Sequence, residues 1–248
     1  GSFVLGDRSG SAGAPLTSTA NDEFAARFAG GYRLFSNAAM TQGLFLTSTN
    51  RLGLGSTVPR AGLDVSHNDG IIATGTFGVG STFDLPAGEG TRMLWIPQKA
   101  AFRAGYAAGS QWDADSVGNY SMALGHSAKA SGSYSTALGL FTTARGNNST
   151  AIGNNGRASG IGSTALGNQV TAGGDYSSAV GNFVDTNGKK GSFALGDRST
   201  NAVLTSSAED QFSARFAGGY RLFTNAAMSV GVSLEAGSNS WGVISDST

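Results

Sequence analysis

The sequence predicts an all-β protein built on a parallel β-roll, and two observations support this prediction. The pattern G-x-x-S-x-A-x-G recurs every 14 residues from Gly118 onward. The 248 residues include 39 glycines, and only 13% are charged, against the usual quarter. Fourteen residues are too few for a helical hairpin, but they fit two short strands and two tight turns, which form one coil of a solenoid.

Five coils follow one another without interruption. The motif then returns as SFALG at 192–196, one residue out of phase after Lys189 and Lys190, and it also opens the chain as SFVLG at 2–6. We therefore predict a β-roll at 118–199 and the end of another at 1–9. The five coils read GNYSMALGHSAKAS (118–131), GSYSTALGLFTTAR (132–145), GNNSTAIGNNGRAS (146–159), GIGSTALGNQVTAG (160–173) and GDYSSAVGNFVDTN (174–187).

Side chains alternate between the two faces of a strand, so stacked coils would create two ladders on opposite faces. The sequence leaves open which ladder faces inward. A coil this short has no spare chain to cover the other ladder, and burying one aliphatic side chain is worth roughly 1.5–3 kcal/mol. We therefore expect further copies of the chain to cover it. The aliphatic ladder is Leu124, Leu138, Ile152, Leu166, Val180 and Leu195, and the small-residue ladder is Ala123, Ala137, Ala151, Ala165, Ala179 and Ala194.

The segments STAIG (149–153) and STALG (163–167) resemble the head repeats of YadA-like trimeric autotransporter adhesins. The resemblance covers about 118–199 and 1–9. It implies a left-handed parallel β-roll in a homotrimeric fibre on a cell or particle surface.

A longer duplication frames the chain. The segments 26–40 and 214–228 differ at one of fifteen positions, and each follows a roll coil that ends in GDRS. We interpret 10–49 and 200–248 as two copies of an aromatic, trimeric β connector module that caps the roll. The second copy also contains the C-terminal junction. Expected trimer contacts are Arg27, Phe28, Tyr32, Arg215, Phe216 and Tyr220, and we expect the two arginines to pair across subunits with Glu23 and with Asp210 or Glu209.

The remaining segment, 50–117, is predicted to be an intervening β-rich fibre module. Weak alternation at 70–78 favours a strand, and 92–97 is a second strand candidate closed by Pro97. The Ala-rich segment 98–108 fits either a short helix or a strand.

The C-terminal residues 243–246 resemble the start of the peptidase S74 intramolecular chaperone. That resemblance implies an autocleavage junction at Ser245, with the protease itself beyond residue 248. Because the chain begins inside a repeat, we expect it to be part of a longer protein.

Composition excludes several classes of chemistry. Cysteine is absent, the formal net charge is zero, and neither a basic stripe nor an 18-residue apolar run is present. We expect no nucleic-acid partner and no membrane insertion by this segment.

Two groups of residues could carry chemistry. A metal site or a catalytic dyad could form from His67 with Asp64 and Asp69. Paired carboxylates on a sugar platform could form from Asp113 and Asp115 beside Trp112. Ordinary turns explain both groups, so we predict no catalytic, cofactor-binding or metal residues.

The predicted function is that of an extracellular structural fibre or adhesin segment that mediates surface attachment as a homotrimer. Its receptor would be a glycan or a protein, and its place would be a bacterial cell surface or the surface of a phage or injection-system particle. The alternative is a receptor-binding tail fibre of a phage or contractile injection system. A glycan-active β-solenoid enzyme would require carboxylates stacked on successive coils, and the five coils offer only Asp175 and Asp185.

Overall fold

In a computed structural model of the chain, the structure describes residues 3–6, 24–27, 31–35, 43–56, 58–66, 71–79 and 87–245. Contacts divide the chain into two compact units, residues 1–73 and 74–248. The predicted module 50–117 therefore contributes residues to both units.

The first unit contains two small sheets. Strands β1 (Phe3–Gly6) and β2 (Phe24–Arg27) pair in parallel, with Gly6 opposite Arg27. In the second sheet, β3 pairs with β4 and β4 with β5 in antiparallel fashion, and β6 joins β5 in parallel. The strands of this sheet are β3 (Tyr32–Phe35), β4 (Gly43–Leu46), β5 (Leu52–Leu54) and β6 (Leu63–Val65).

The second unit begins with an antiparallel hairpin of β7 (Gly90–Ile96) and β8 (Ala101–Ala107), and β8 then pairs in parallel with the first strand of the roll. Each coil contributes a longer strand and a short one, and both kinds stack in parallel on the next coil. The longer strands are β9 (Met122–His126), β11 (Thr136–Leu140), β13 (Thr150–Asn154), β15 (Thr164–Ala172), β16 (Ser178–Asp185), β17 (Phe193–Gly196) and β19 (Phe212–Arg215). The short strands are β10 (Lys129–Ala130), β12 (Thr143–Ala144) and β14 (Arg157–Ala158); the second halves of β15 and β16 continue this row, and β18 (Leu204–Thr205) ends it.

The register confirms the predicted β-roll. Ala123 lies opposite Ala137, and the same 14-residue step continues to Ala179. One extra residue lengthens the next step, which places Ala179 opposite Ala194. The last step is longer still, so that Ala194 lies opposite Ser213.

Small residues fill the interior because the two layers of each coil lie close together. The ladder alanines from Ala123 to Ala194 are fully buried, as are the alanines of the short strands such as Ala130. The motif serine is buried as well, and its hydroxyl donates to a turn carbonyl three residues earlier. Ser149 Oγ, for example, donates to the Gly146 carbonyl at 2.6 Å, and Ser163 Oγ to Gly160 at 2.7 Å. The motif therefore supplies both the narrow core and the bond that closes the turn.

The motif glycine is required by the stacking of the coils. Gly153 has a φ of +124°, and a Cβ at this position would lie closer than 3.0 Å to the carbonyl oxygen of Gly167 in the next coil. Any side chain would therefore strain its own backbone and push the next coil away.

A three-stranded antiparallel sheet follows the roll, made of β20 (Tyr220–Phe223), β21 (Gly231–Leu234) and β22 (Gly242–Ile244). The duplicated sequences fold alike. Tyr220 lies opposite Leu234, as Tyr32 lies opposite Leu46, and Gly196 lies opposite Arg215, as Gly6 lies opposite Arg27.

Outside the repeats, the sequence predictions had mixed outcomes. Residues 92–97 do lie in a strand up to Ile96, while 98–108 are mainly the strand β8 and not a helix. The predicted strand at 70–78 is wrong for 71–79, which form no strand; Ile71 and Ile72 are 75% and 85% exposed and contribute nothing to a core. Three 3₁₀ turns, Pro97–Lys99, Ser110–Trp112 and Ala114–Ser116, are the only helical elements among the described residues. None of the helices in the described part of the chain could cross a membrane.

Candidate assembly interface

The structure shows which ladder faces outward. Alternation along each longer strand turns the alanines into the core and the aliphatic side chains to the outer face, where they are half-buried and Leu166 is 44% exposed. Consecutive coils place the aliphatic residues directly opposite one another, in the order Leu124, Leu138, Ile152, Leu166, Val180 and Leu195. The outer face of the longer strands therefore carries a continuous apolar row.

Aromatic residues extend this outer face at the last coils. Phe193 and Phe212 lie opposite each other, and their rings stack at 5.8 Å with 17° between their planes. They are 41% and 64% exposed, so much of this aromatic surface is in water in a single chain.

A buried arginine closes the first end of the roll. Arg103 lies opposite Ala123, at the place where another ladder residue would stand, and it is fully buried. Its guanidinium donates to the carbonyls of Phe102 (2.8 Å), Ser121 (2.9 Å) and Ala130 (2.9 Å), and to Ser121 Oγ (2.7 Å). Burial lowers the pKa of Arg103 to about 10. The role of Arg103 was not predicted from the sequence. The sequence feature that points to it is a charged residue inside the Ala-rich strand β8.

Trp112 lies beside the same end and is also fully buried, with Nε1 donating to the Ala128 carbonyl at 2.8 Å. Its neighbour Asp113 accepts a hydrogen bond from the Gly88 N–H at 3.0 Å. The alternative of a sugar platform flanked by carboxylates is therefore wrong for Trp112, because its ring is inside the protein.

Asp197 organises the other end of the roll. It accepts hydrogen bonds from Ser199 Oγ (2.6 Å), the Ala217 N–H (2.6 Å) and Arg215 Nε (3.4 Å). These bonds, the one from Ser199 first, lower the pKa of Asp197 to about 2. The predicted partner of Arg215 was Asp210 or Glu209 of another subunit. Within one chain, the structure pairs Arg215 with Asp197, because the β17–β19 register brings the two residues together. The pairing across subunits stays a prediction.

The remaining connector residues also make contacts within the chain. The Tyr220 hydroxyl donates to the Ala214 carbonyl at 2.5 Å and accepts from the Phe216 N–H at 3.2 Å, and the two rings meet edge to face. Phe216 is 39% exposed. In the first copy, Tyr32 begins β3 and is half-buried.

Among the other residues that the sequence analysis named, Ser245 and Asp64 lie in the described part of the chain. Ser245 is exposed just after β22. Asp64 forms an ion pair with Arg60 at 3.1 Å, and this hydrogen-bonded partner lowers the pKa of Asp64. Phe28, His67, Asp69 and the side chain of Arg27 lie outside the described residues.

These features define a class: a parallel β-solenoid of 14-residue coils with an alanine core and an outward aliphatic row.

The family described as YadA head domain repeat (2 copies) matches residues 116–142, 135–155 and 158–183. The predicted resemblance to YadA-like heads is thus confirmed for the roll. No curated protein matches the chain. The match lies within the roll, and YadA heads are parts of surface adhesins. The peptidase S74 resemblance remains a prediction.

Proposed function

We propose that the chain is a segment of an extracellular, homotrimeric fibre that mediates attachment from a bacterial surface and has no catalytic role. The observation that supports this proposal is the outward aliphatic ladder. Monomeric proteins rarely expose a continuous apolar row of this kind, so the six aligned aliphatic side chains favour a second surface that covers them.

Energetics favour a closed assembly over a single pair. Each ladder residue is already half-buried, so covering the rest is worth roughly 1 kcal/mol, or about 6 kcal/mol per chain. Association costs on the order of 4–15 kcal/mol. Two slender rolls would cover only one side of each ladder. Three rolls around one axis cover both sides in every chain, and the family to which the repeat belongs is trimeric.

The connectors support the same assembly. Leu222, Val232 and Val243 lie opposite one another across the C-terminal sheet and are 59%, 37% and 81% exposed. An exposed apolar row on a small sheet is typical of a surface that contacts another protein chain. We propose that copies of the chain cover it, with Arg215, Phe216 and Tyr220 near the contact. By the duplication, Arg27, Phe28 and Tyr32 would take the same role in the first copy.

Two further elements belong to this proposal. The five segments 1–9, 10–49, 50–117, 118–199 and 200–248 serve as successive fibre modules. Ser245 serves as the junction at which a following chaperone would separate, and its exposed position after β22 would make it accessible to cleavage.

Light scattering tests the assembly, because a trimer has three times the 25.0 kDa mass of one chain. Ile152→Asp places a charge in the middle of the ladder and should yield monomers. Thr143→Asp is the matched control, because Thr143 is half-buried on the outer face of a short strand, away from the ladder, and this variant should remain trimeric. A monomeric wild-type protein would overturn the proposal. Adhesion of coated beads to host-cell layers tests attachment separately.

A further inference from the structure

A cleft of about 410 Å³ opens near the last coils of the roll, between the corners that lead into the short strands and the segment that precedes β18. It lies entirely within the second unit. Its lining residues are Asn155, Gln169, Thr171, Val184, Asp185 and Val203.

Coil stacking arranges the polar side chains of the cleft in rows. Asn155 and Gln169 occupy the same corner of successive coils, and both have left-handed backbones, with φ of 52° and 54°. Thr171 lies opposite Asp185 in the β15–β16 register. Since neighbouring strands lie about 4.8 Å apart, the cleft presents two amides in one row and a hydroxyl and a carboxylate in the next.

These polar groups are available to a ligand. Within the described residues, the side chains of Asn155, Gln169 and Thr171 make no hydrogen bond, while Asp185 Oδ1 accepts one from the Asn187 N–H at 2.6 Å and leaves Oδ2 open. Val203 is 53% exposed and offers an apolar surface at the edge of the cleft, while Val184 is 1% exposed and belongs to the core beneath it. The cleft therefore combines neighbouring donors and acceptors with one exposed apolar side chain, as ligand sites commonly do.

We propose that this cleft binds a neutral saccharide. Side-chain amides can both donate to and accept from sugar hydroxyls, a carboxylate accepts from two of them, and the exposed Val203 matches the C–H face of a sugar ring. The lining contains one carboxylate and no cation, which disfavours sulfated, sialylated or phosphorylated ligands. This inference rests on the proposed attachment function and specifies the chemical class of the receptor.

Trimer assembly would leave the cleft open. Ala123 of a longer strand and Ala130 of a short strand share one interior, so the outer faces of the two rows of strands point in opposite directions. The aliphatic ladder occupies one of these faces, while Thr171 and Asp185 lie on the outer face of the other. A trimer packed through the ladder therefore directs the cleft to solvent.

Saturation-transfer NMR with the assembled protein tests the proposal, using cellotetraose, maltotetraose and lacto-N-tetraose as neutral probes and 3′-sialyllactose as the anionic one. The decisive variant is Asn155→Gly combined with Gln169→Gly. Glycine tolerates both left-handed positions, so this variant removes the amides and keeps the fold. Asn148→Gly is the matched control, because Asn148 is also left-handed, with φ of 58°, but lies outside the cleft.

We expect at least one neutral tetrasaccharide to bind, the double variant to bind it at least about tenfold more weakly, and the control to bind as the wild type does. Thermal unfolding of each variant verifies folding. The proposal is overturned if no neutral probe binds, if the double variant binds unchanged, or if only the sialylated probe binds. A trimer that adheres to cells but binds no neutral probe would remove this inference and leave the proposed function standing.

Discussion

Asp197 and Arg215 join the end of the roll to the connector within a single chain. Arg215 Nε lies 3.4 Å from Asp197 Oδ1, and its Nη1 donates to the Ala202 carbonyl at 2.5 Å. The Asp197 N–H in turn donates to the Arg215 carbonyl at 3.0 Å. The same side chains therefore hold β19 on β17 and fix the loop between them.

This arrangement predicts acid sensitivity at the end of the roll. The pKa of Asp197 is about 2 in the folded chain and 3.8 in an unfolded one. The carboxylate therefore stabilises the fold above about pH 4, and that contribution is lost as the pH falls through 2. Asp197→Asn should lower the melting temperature at pH 7, and the difference from wild type should shrink as the pH falls toward 2.

Asp210→Asn is the control for this measurement, because Asp210 is exposed and is the partner that the sequence suggested for Arg215. It should melt like the wild type at every pH. If Asp210→Asn lowered the melting temperature and Asp197→Asn did not, the pairing described above would be incorrect in solution.

Two glycines of one coil should respond in opposite ways to alanine. A Cβ on Gly156 would contact Val170 and Thr142 at 3.7–3.8 Å, which is ordinary packing. Gly156→Ala should therefore raise the free energy of unfolding by about 0.4–1 kcal/mol, since alanine restricts the unfolded chain. Gly153→Ala should lower it by more than that, because its Cβ would overlap the Gly167 carbonyl. Chemical denaturation measures both, and equal effects would contradict the described stacking.

The roll could be predicted because the residues that determine its fold form a short motif that is repeated in every coil. Ser149, Ala151 and Gly153 recur at a fixed interval, and each coil contacts only its neighbours, so the period by itself determines the strand pairing. The sequence did not show which ladder is inside, since Ala151 and Ile152 are both apolar. The narrow spacing of the two layers decides it, and that spacing is a property of the folded coil.

The ends of the roll could not be predicted, because they leave the 14-residue frame. Phe102 lies opposite Met122, a step of 20 residues, and this step inserts Arg103 where the frame would place a small residue. The step from Phe193 to Phe212 is 19 residues, and it brings Arg215 to Asp197 of the same chain. Non-local register of this kind leaves no periodic signal.

Turn tyrosines provide a further prediction. Tyr176 has a left-handed φ of 57° and is 72% exposed, whereas Tyr134, with a φ of 58°, stacks on Tyr120 at 4.8 Å. Asparagine tolerates this backbone better than an aromatic residue does. Tyr176→Asn should therefore stabilise the fold by about 0.5–1 kcal/mol. Tyr134→Asn should stabilise the fold by less, because it removes a ring contact worth about 0.5–1.5 kcal/mol. Denaturant melts would rank the two, and the reverse order would contradict this account.

Arg103 should be required for the first coil in particular. Arg103→Ala leaves a cavity and removes the buried hydrogen bonds to the carbonyls of Ser121 and Ala130 and to Ser121 Oγ, which should cost about 2–4 kcal/mol. Because each coil depends mainly on its neighbours, the loss should appear in hydrogen exchange as faster exchange in β8 and β9, with β15 and β16 nearly unchanged. Arg145→Ala, at an exposed position of the same roll, should change stability by no more than about 0.5 kcal/mol. Uniform loss of protection along the roll would show that Arg103 acts on the whole solenoid and is not a local cap.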